Sequence, residues 1–307
     1  MTNSVEDFWD DIRIKSERAK YLKPTSYELA PLVEWGTNLQ ATSRDTLKVI
    51  PGTTSSSIID ALERELPSGG LIRDSELGRS EDPIGNLMTL VRQMRVPSRF
   101  RVRGNLSFRP PHPSMNPVGW DILWCLVAHR ELILTSYLKD LVGKKSSRLT
   151  EFYTALVEIR FEAQERQSIP SIEEDVESLG GWVEGDLSES SGTHFKLKTG
   201  VKGNVQKNER MDLLLFILNL AKDNQLLEEF IVFSDGMEGL TPNGSLELNE
   251  ILLALDRWVP IGCPLNLLLG WRGSDEDRAS LKGMHPRLLT RFKRGSAWAY
   301  SSRKGHT

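Results

Sequence analysis

Cysteine is nearly missing from this chain, with two in 307 residues. Cys125 and Cys263 lie far apart in apolar surroundings (ILWCLVAH and IGCPLNLLL), which excludes a disulfide framework or a zinc ribbon and predicts two buried, inert thiols. The five histidines, His112, His129, His194, His285 and His306, never fall at i, i+4, so no structural metal is expected. His129, in an apolar helical stretch, reads as a core residue rather than a base. There is no GxSxG elbow, and no Ser/His/Asp or Cys/His nucleophile is indicated. Uncharged apolar runs stay short of the roughly 18 residues needed to cross a bilayer. The acidic start MTNSVEDFWDD lacks the basic and apolar regions of a secretory signal. These absences predict a cytoplasmic protein without membrane contact. Its 39% hydrophobic and 26% charged residues suit a globular chain rather than a fibrous or disordered one.

Charge of one sign is also missing, but only locally. The net charge is −3, yet no acid falls between Pro83 and Trp120, where Arg92, Arg95, Arg99, Arg101, Arg103 and Arg109 lie. After Asp277 the acids stop again, and Arg278, Lys282, Arg287, Arg291, Lys293, Arg294, Arg303 and Lys304 follow. Conversely, Ser168 to Thr193 holds seven acids and no Lys or Arg. Such asymmetry implies charged partners. Arg99, Arg101 and Arg103 alternate with Phe100 and Val102, as on a half-exposed strand. With Arg291, Lys293 and Arg294 they are candidates for contact with nucleic acid or with a protein partner, because Lys and Arg supply most sequence-independent affinity for phosphate. Interleaved Phe100, Phe108, Phe292, Trp298 and Tyr300 would give bases a stacking surface. A solvated strand face and a basic tail are the plainer reading of the same residues.

Along the chain, Phe8, Trp9, Ile12 and Ile14 mark a short helix, and SYELAPLVEWGTNLQ a second, in an N-terminal helical extension over 1–43. IGNLMTLVRQM, GWDILWCLVAHRELILTSYLKDLVG and SSRLTEFYTALVEIRFEAQERQ are helical patterns, the middle one apolar nearly all round and therefore central. Residues 168–208, acidic and then rich in Gly, Ser and Lys, read as a mobile insertion with a hairpin around THFKLKTG. The last third alternates helices (ERMDLLLFILNLAKDNQLL, SLELNEILLALDRWV, HPRLLTRF) with the apolar strands EEFIVFS and PLNLLLGW. That alternation predicts a mostly parallel sheet covered on both faces, in an α/β domain over 44–300 followed by a basic tail, 301–307.

The most telling stretch is LKVIPGTTSSSIIDALEREL, residues 47–66. A short apolar strand runs into Pro-Gly, a string of small hydroxyl residues and an amphipathic helix. A phosphate loop of the form GxxxxGK[ST] uses backbone N–H groups to close around phosphate, a lysine for the β and γ phosphates and a hydroxyl for Mg²⁺. Counted from Gly52, the second glycine position is Ser57, the lysine position Ile58 and the hydroxyl position Ile59. A loop two residues shorter puts Ser55, Ser56 and Ser57 there. Neither alignment has a lysine, and Lys48, as a strand residue, points the wrong way. Gly52, Thr53, Thr54, Ser55, Ser56 and Ser57 could still offer N–H groups to an anion at a helix N-terminus. A Ser-capped helix after a turn explains them equally well.

In order and spacing, residues 26–300 resemble the P-loop NTPases of the AAA+ and STAND (KAP-like) type. FIVFSDGMEGL is similar to their Walker B strand, with Asp235 as the magnesium aspartate one residue late and Gly236 where the catalytic glutamate belongs. PLNLLLGWRGS resembles the sensor strand, RFRVRGNLSF the second strand, and HPRLLTRF the segment ending in an arginine, Arg291, that relatives present to a neighbour. The resemblance implies a three-layer P-loop NTPase-like domain without a C-terminal lid. It departs from the family in lacking the Walker lysine and the Walker B glutamate. The implied function is a protein with degenerate Walker motifs that works by binding, as a non-hydrolysing subunit or regulator of a larger assembly, with ATP bound weakly or not at all. Three alternatives stand beside it: an active ATPase with an atypical loop, a nucleic-acid-binding module, and an interaction domain like von Willebrand factor A, whose DxSxS metal motif this chain lacks.

Overall fold

The computed structural model of the chain describes residues 47–51, 59–60, 63–64, 71–74, 77, 80–97, 119–143, 148–166, 169–187, 189–234, 239–258 and 262–271. Among them are four strands, β1 (Leu47–Pro51), β2 (Leu71–Arg73), β3 (Phe230–Ser234) and β4 (Leu265–Trp271). Eight helices accompany them: α1 (Pro83–Gln93), α2 (Asp121–Ala128), α3 (Ser136–Gly143), α4 (Arg148–Arg166), α5 (Ile169–Glu184), α6 (Glu189–Thr199), α7 (Lys207–Asp223) and α8 (Pro242–Trp258). The chain divides into two compact units, Met1–Asn86 with Glu229–Thr307, and Leu87–Glu228. The sheet belongs to the first. The expected α/β class and parallel sheet are present. No helix among the described residues is long and apolar enough to cross a membrane.

Every strand pair is parallel, in the order β1-β4-β3-β2. The inner strands β3 and β4 are almost unbroken apolar runs because both their faces are covered. Ile231, Val232, Leu265, Leu267, Leu268 and Leu269 are fully buried. Asn266 interrupts the run and is satisfied: its buried amide donates to the carbonyls of Phe230 at 3.1 Å and Pro264 at 3.2 Å. The edge strand β2 is only three residues, ending at exposed Arg73. Between β3 and β4, α8 starts at Thr241, whose Oγ1 accepts from the Gly244 N–H at 3.1 Å, with Pro242 in the first turn. Leu248, Ile251, Leu252 and Leu255, spaced i, i+3, i+4 and i+7, form its buried stripe. Gly244 is required there, since a Cβ would lie 2.4 Å from the Ser80 carbonyl oxygen.

The second unit is a helical assembly around α4 and α7, whose Phe152 and Phe216 rings meet edge to face at 5.9 Å. All eight residues of α2 are buried, as its all-round apolarity predicts. The single helix expected over 119–143 is instead two, α2 and α3. Arg160 on α4 donates to the carbonyls of Leu126 and Val127 at the end of α2, capping it. Asn224, buried after α7, then clamps the connection: its Oδ1 accepts from the Ile133 N–H at 2.7 Å and its Nδ2 donates to the Ile133 carbonyl at 3.0 Å.

The largest difference from expectation is at 168–208. In place of a mobile insertion with a hairpin, the chain forms α5, α6 and the start of α7. Val176, Leu179 and Val183 recur at helical spacing and are fully buried, with Trp182 and Phe195 beside them in the core. Gly185, at φ +71°, ends α5, and Gly200, at φ +74°, ends α6. Lys198 binds Asp175 at 2.5 Å and also pairs with Glu162, tying α6 to α5 and α4. Trp182 Nε1 donates to the Gly203 carbonyl at 2.9 Å. The acidic, Gly- and Ser-rich composition masks this apolar period in the sequence. Helices expected over IGNLMTLVRQM, SSRLTEFYTALVEIRFEAQERQ, ERMDLLLFILNLAKDNQLL and SLELNEILLALDRWV, and the three apolar strands, are found in place. The expected N-terminal helices, the strand over 99–108 and the helix over 285–292 lie outside the described residues.

Candidate functional site

Because the four strands run the same way, their carboxyl ends share one edge of the sheet. The register there pairs Pro51 with Trp271, Ser234 with Leu269 and Arg73 with Phe233. The strand order sets the directions in which the connections leave. From β1 the chain crosses to the far edge, to β2. From β2 it returns one strand at a time, through β3 to β4, the neighbour of β1. With the near-universal right-handed crossover, connections travelling in opposite directions lie on opposite faces. By strand order, β1 and β3, whose outgoing connections lead in opposite directions along the sheet, stand on either side of the end of β4. In open parallel sheets that arrangement makes the crevice where ligands bind.

The predicted loop follows Pro51 directly in sequence, and Asp235 follows the fully buried Ser234. Gly52, Thr53, Thr54, Ser55, Ser56, Ser57 and Asp235 themselves lie outside the described residues, as do Arg99, Arg101, Arg103, Arg291, Lys293 and Arg294. What the structure does fix is the far side of the loop. Residues 59–60 and 63–64 are helical, and Ile59 is fully buried. In the literal alignment Ile59 stands at the hydroxyl position. A buried isoleucine cannot ligate Mg²⁺, so that alignment offers no metal-holding side chain.

One charged cluster at this edge escaped the sequence reading. Arg73, at the end of β2, donates from Nε and Nη2 to the two carboxylate oxygens of Glu63, each at 2.8 Å, and from Nη2 to Asp60 Oδ1 at 2.5 Å. The guanidinium holds Glu63 below the ordinary carboxylate range, and the two carboxylates raise the pKa of Arg73. All three side chains are exposed, so the cluster orients the helix after the loop more than it stabilises the fold. Its charge is already matched. Arg73 therefore does not stand in for the absent lysine without giving up Glu63 and Asp60. The cluster had little signature in sequence, because partners 10 and 13 residues apart belong to no helical or strand period.

Cys125 and Cys263 are both buried free thiols. His129 is half-buried, and its Nδ1 lies 2.5 Å from the Glu131 carbonyl. Among the described residues no group of His, Cys, Asp or Glu could hold a metal ion. Comparison of the chain with protein-family models, with curated proteins and with solved structures finds no significant match.

Proposed function

We propose that this chain is an NTPase-like protein with degenerate Walker motifs that acts by binding, as a non-hydrolysing subunit or regulator of a larger assembly. The observation that carries the reading is the parallel order β1-β4-β3-β2, with the loop-bearing strand β1 and the Asp235-bearing strand β3 on either side of β4. In that order the strands that precede the two segments singled out in the sequence stand on either side of one inner strand, with their carboxyl ends at the same end of the sheet, which supports the reading. Two further observations argue against phosphoryl chemistry. In the literal alignment a buried Ile59 takes the hydroxyl position, and Arg73 is already paired with two carboxylates. A loop of small residues at a helix start can still bind an anion through backbone N–H groups. Without lysine, the charge developing on a γ-phosphate lacks its main stabiliser. Binding without turnover is what remains.

The test is ATP turnover by the purified chain with Mg²⁺. No activity above background is expected, and Asp235→Ala should leave that background unchanged. Turnover that disappears in Asp235→Ala would overturn the proposal in favour of an active ATPase with an atypical loop. No observation among the described residues favours the nucleic-acid or von Willebrand factor A-like alternatives.

A further inference from the structure

Arg160 is the one Lys or Arg that is buried among the described residues, at 8% exposure. A guanidinium taken out of water ordinarily has a carboxylate beside it, because an unmatched buried charge is costly. Arg160 has none among the described residues. Its partners are two carbonyls at the end of α2, those of Leu126 and of Val127, the latter at 3.2 Å. Burial lowers its pKa, and the opposing influence comes from Tyr153 rather than from an acid. The carbonyls bring only the partial charge of a helix C-terminus, about half a unit. Positive charge is therefore left over on this side chain.

Donor geometry says what would meet that charge. Both carbonyls are served by Nη1, so of the five guanidinium N–H donors the Nε–H and the pair on Nη2 are left. Neither nitrogen bonds a described group, and neither is sealed in the core. Together they form one edge of the guanidinium, whose parallel N–H groups match two oxygens of a single carboxylate or phosphate. Tyr153, seven residues earlier on α4, shares a helix face with Arg160, and its half-buried hydroxyl has no partner among the described residues. The same end of α2 holds another unmet polar atom: Nε2 of His129, the next residue after the helix, is buried without a partner. We propose that the Nε–Nη2 edge of Arg160, with the Tyr153 hydroxyl, binds an oxyanion at the end of α2, the carboxylate or phosphate group of a small molecule. A neutral ligand would leave the charge unmatched, and a monatomic anion would not span both donors. The inference is independent of the proposed function, which concerns β1 and β3.

Isothermal titration calorimetry of the full chain tests it, with inorganic phosphate and with acetate as separate probes and the ionic strength held constant with sodium chloride. The expected result is one anion per chain with a Kd of about 1 mM or tighter. Arg160→Lys keeps the charge but loses the two-donor edge, and should weaken binding at least about tenfold. Tyr153→Phe removes one hydroxyl at a half-buried position and should weaken binding about tenfold, with an unaltered far-ultraviolet circular dichroism spectrum. This second variant keeps the test decisive if Arg160→Lys fails to fold. Whichever of phosphate and acetate binds more tightly identifies the group that the ligand carries. Absence of binding by both anions up to about 10 mM overturns the proposal. So does an affinity indifferent to both substitutions, which would put the anion elsewhere, as at the loop after β1.

Discussion

Replacing Lys198 by Met should separate α6 from its neighbours in energy while leaving the lysine stem's apolar contacts in place. Lys198 lies between Asp175 on α5 and Glu162 on α4, with side chains 16%, 10% and 25% exposed. Removing one partner of a fully buried ion pair costs about 3–5 kcal/mol, because the remaining charge is stranded. Here partial solvent access screens the stranded carboxylates, so a loss of about 2 kcal/mol is expected, near a 30-fold fall in the folding constant. The pH dependence has two arms. Burial works against the ammonium of Lys198, but the two carboxylates outweigh it and raise its pKa. Its contribution is therefore complete below the unfolded value of 10.5 and lost as pH rises through the higher folded value. At Asp175 burial outweighs the lysine and raises the pKa, so this carboxyl takes up a proton earlier in the folded chain. Protonation relieves the stranded charge in Lys198→Met, and the gap from wild type should narrow as pH falls through the carboxylate range. Urea denaturation followed by tryptophan fluorescence measures both arms. A difference below about 0.5 kcal/mol at pH 7 would place the triad among inconsequential surface pairs. A deficit that does not change with pH would refute the charge argument altogether.

Limited proteolysis should spare residues 169–199, since Val176, Leu179, Trp182 and Phe195 hold both helices in the core; a first cut inside α5 or α6 would contradict their packing. Burial raises the pKa of Glu184 despite Arg92 at 3.3 Å and the Trp120 Nε1 donor at 3.2 Å. The wild-type chain should therefore lose stability relative to Glu184→Gln as pH rises through the folded value, measured by urea midpoints between about pH 4 and 7. An advantage for wild type that grows with pH would reverse the assigned sign. Replacing Arg99, Arg101 and Arg103 together by Gln should lower the log-log salt slope of any DNA or RNA binding by roughly 2–3 units. An unchanged slope removes those three arginines from the nucleic-acid alternative.

The elements legible in the sequence were those whose apolar period ran without interruption. FIVFS and LNLLLGW announced buried parallel strands because neither alternates with polar residues, and both are inner strands. The break between α2 and α3 was hidden, because the residues that make it, Arg160 and Asn224, lie far along the chain. The same holds for α5 and α6. Their acids look like those of a solvated insertion until Lys198 is placed between Asp175 of α5 and Glu162 of α4. At the candidate site, residue order singled out the loop and Asp235, which lie outside the described residues, whereas the Arg73 cluster required the fold. Strand order was likewise beyond the sequence, since a hydrophobic pattern says that a strand is buried but not which neighbour buries it.

The position of β4 bears on how the molecule comes to exist. During synthesis β1 emerges long before its pairing partner, which runs from Leu267 at the Leu47 position to Trp271 at the Pro51 position. The helical residues Leu87–Glu228 form a continuous stretch that can consolidate in the meantime, as domains do when they fold in order of emergence. Until β4 arrives, β1 is a lone apolar strand with a free backbone edge, and closing that long span slows the final pairing. A ribosome stalled before Leu265 would thus hold a finished helical body and an open sheet, a natural substrate for chaperones and a hazard for strand-to-strand aggregation.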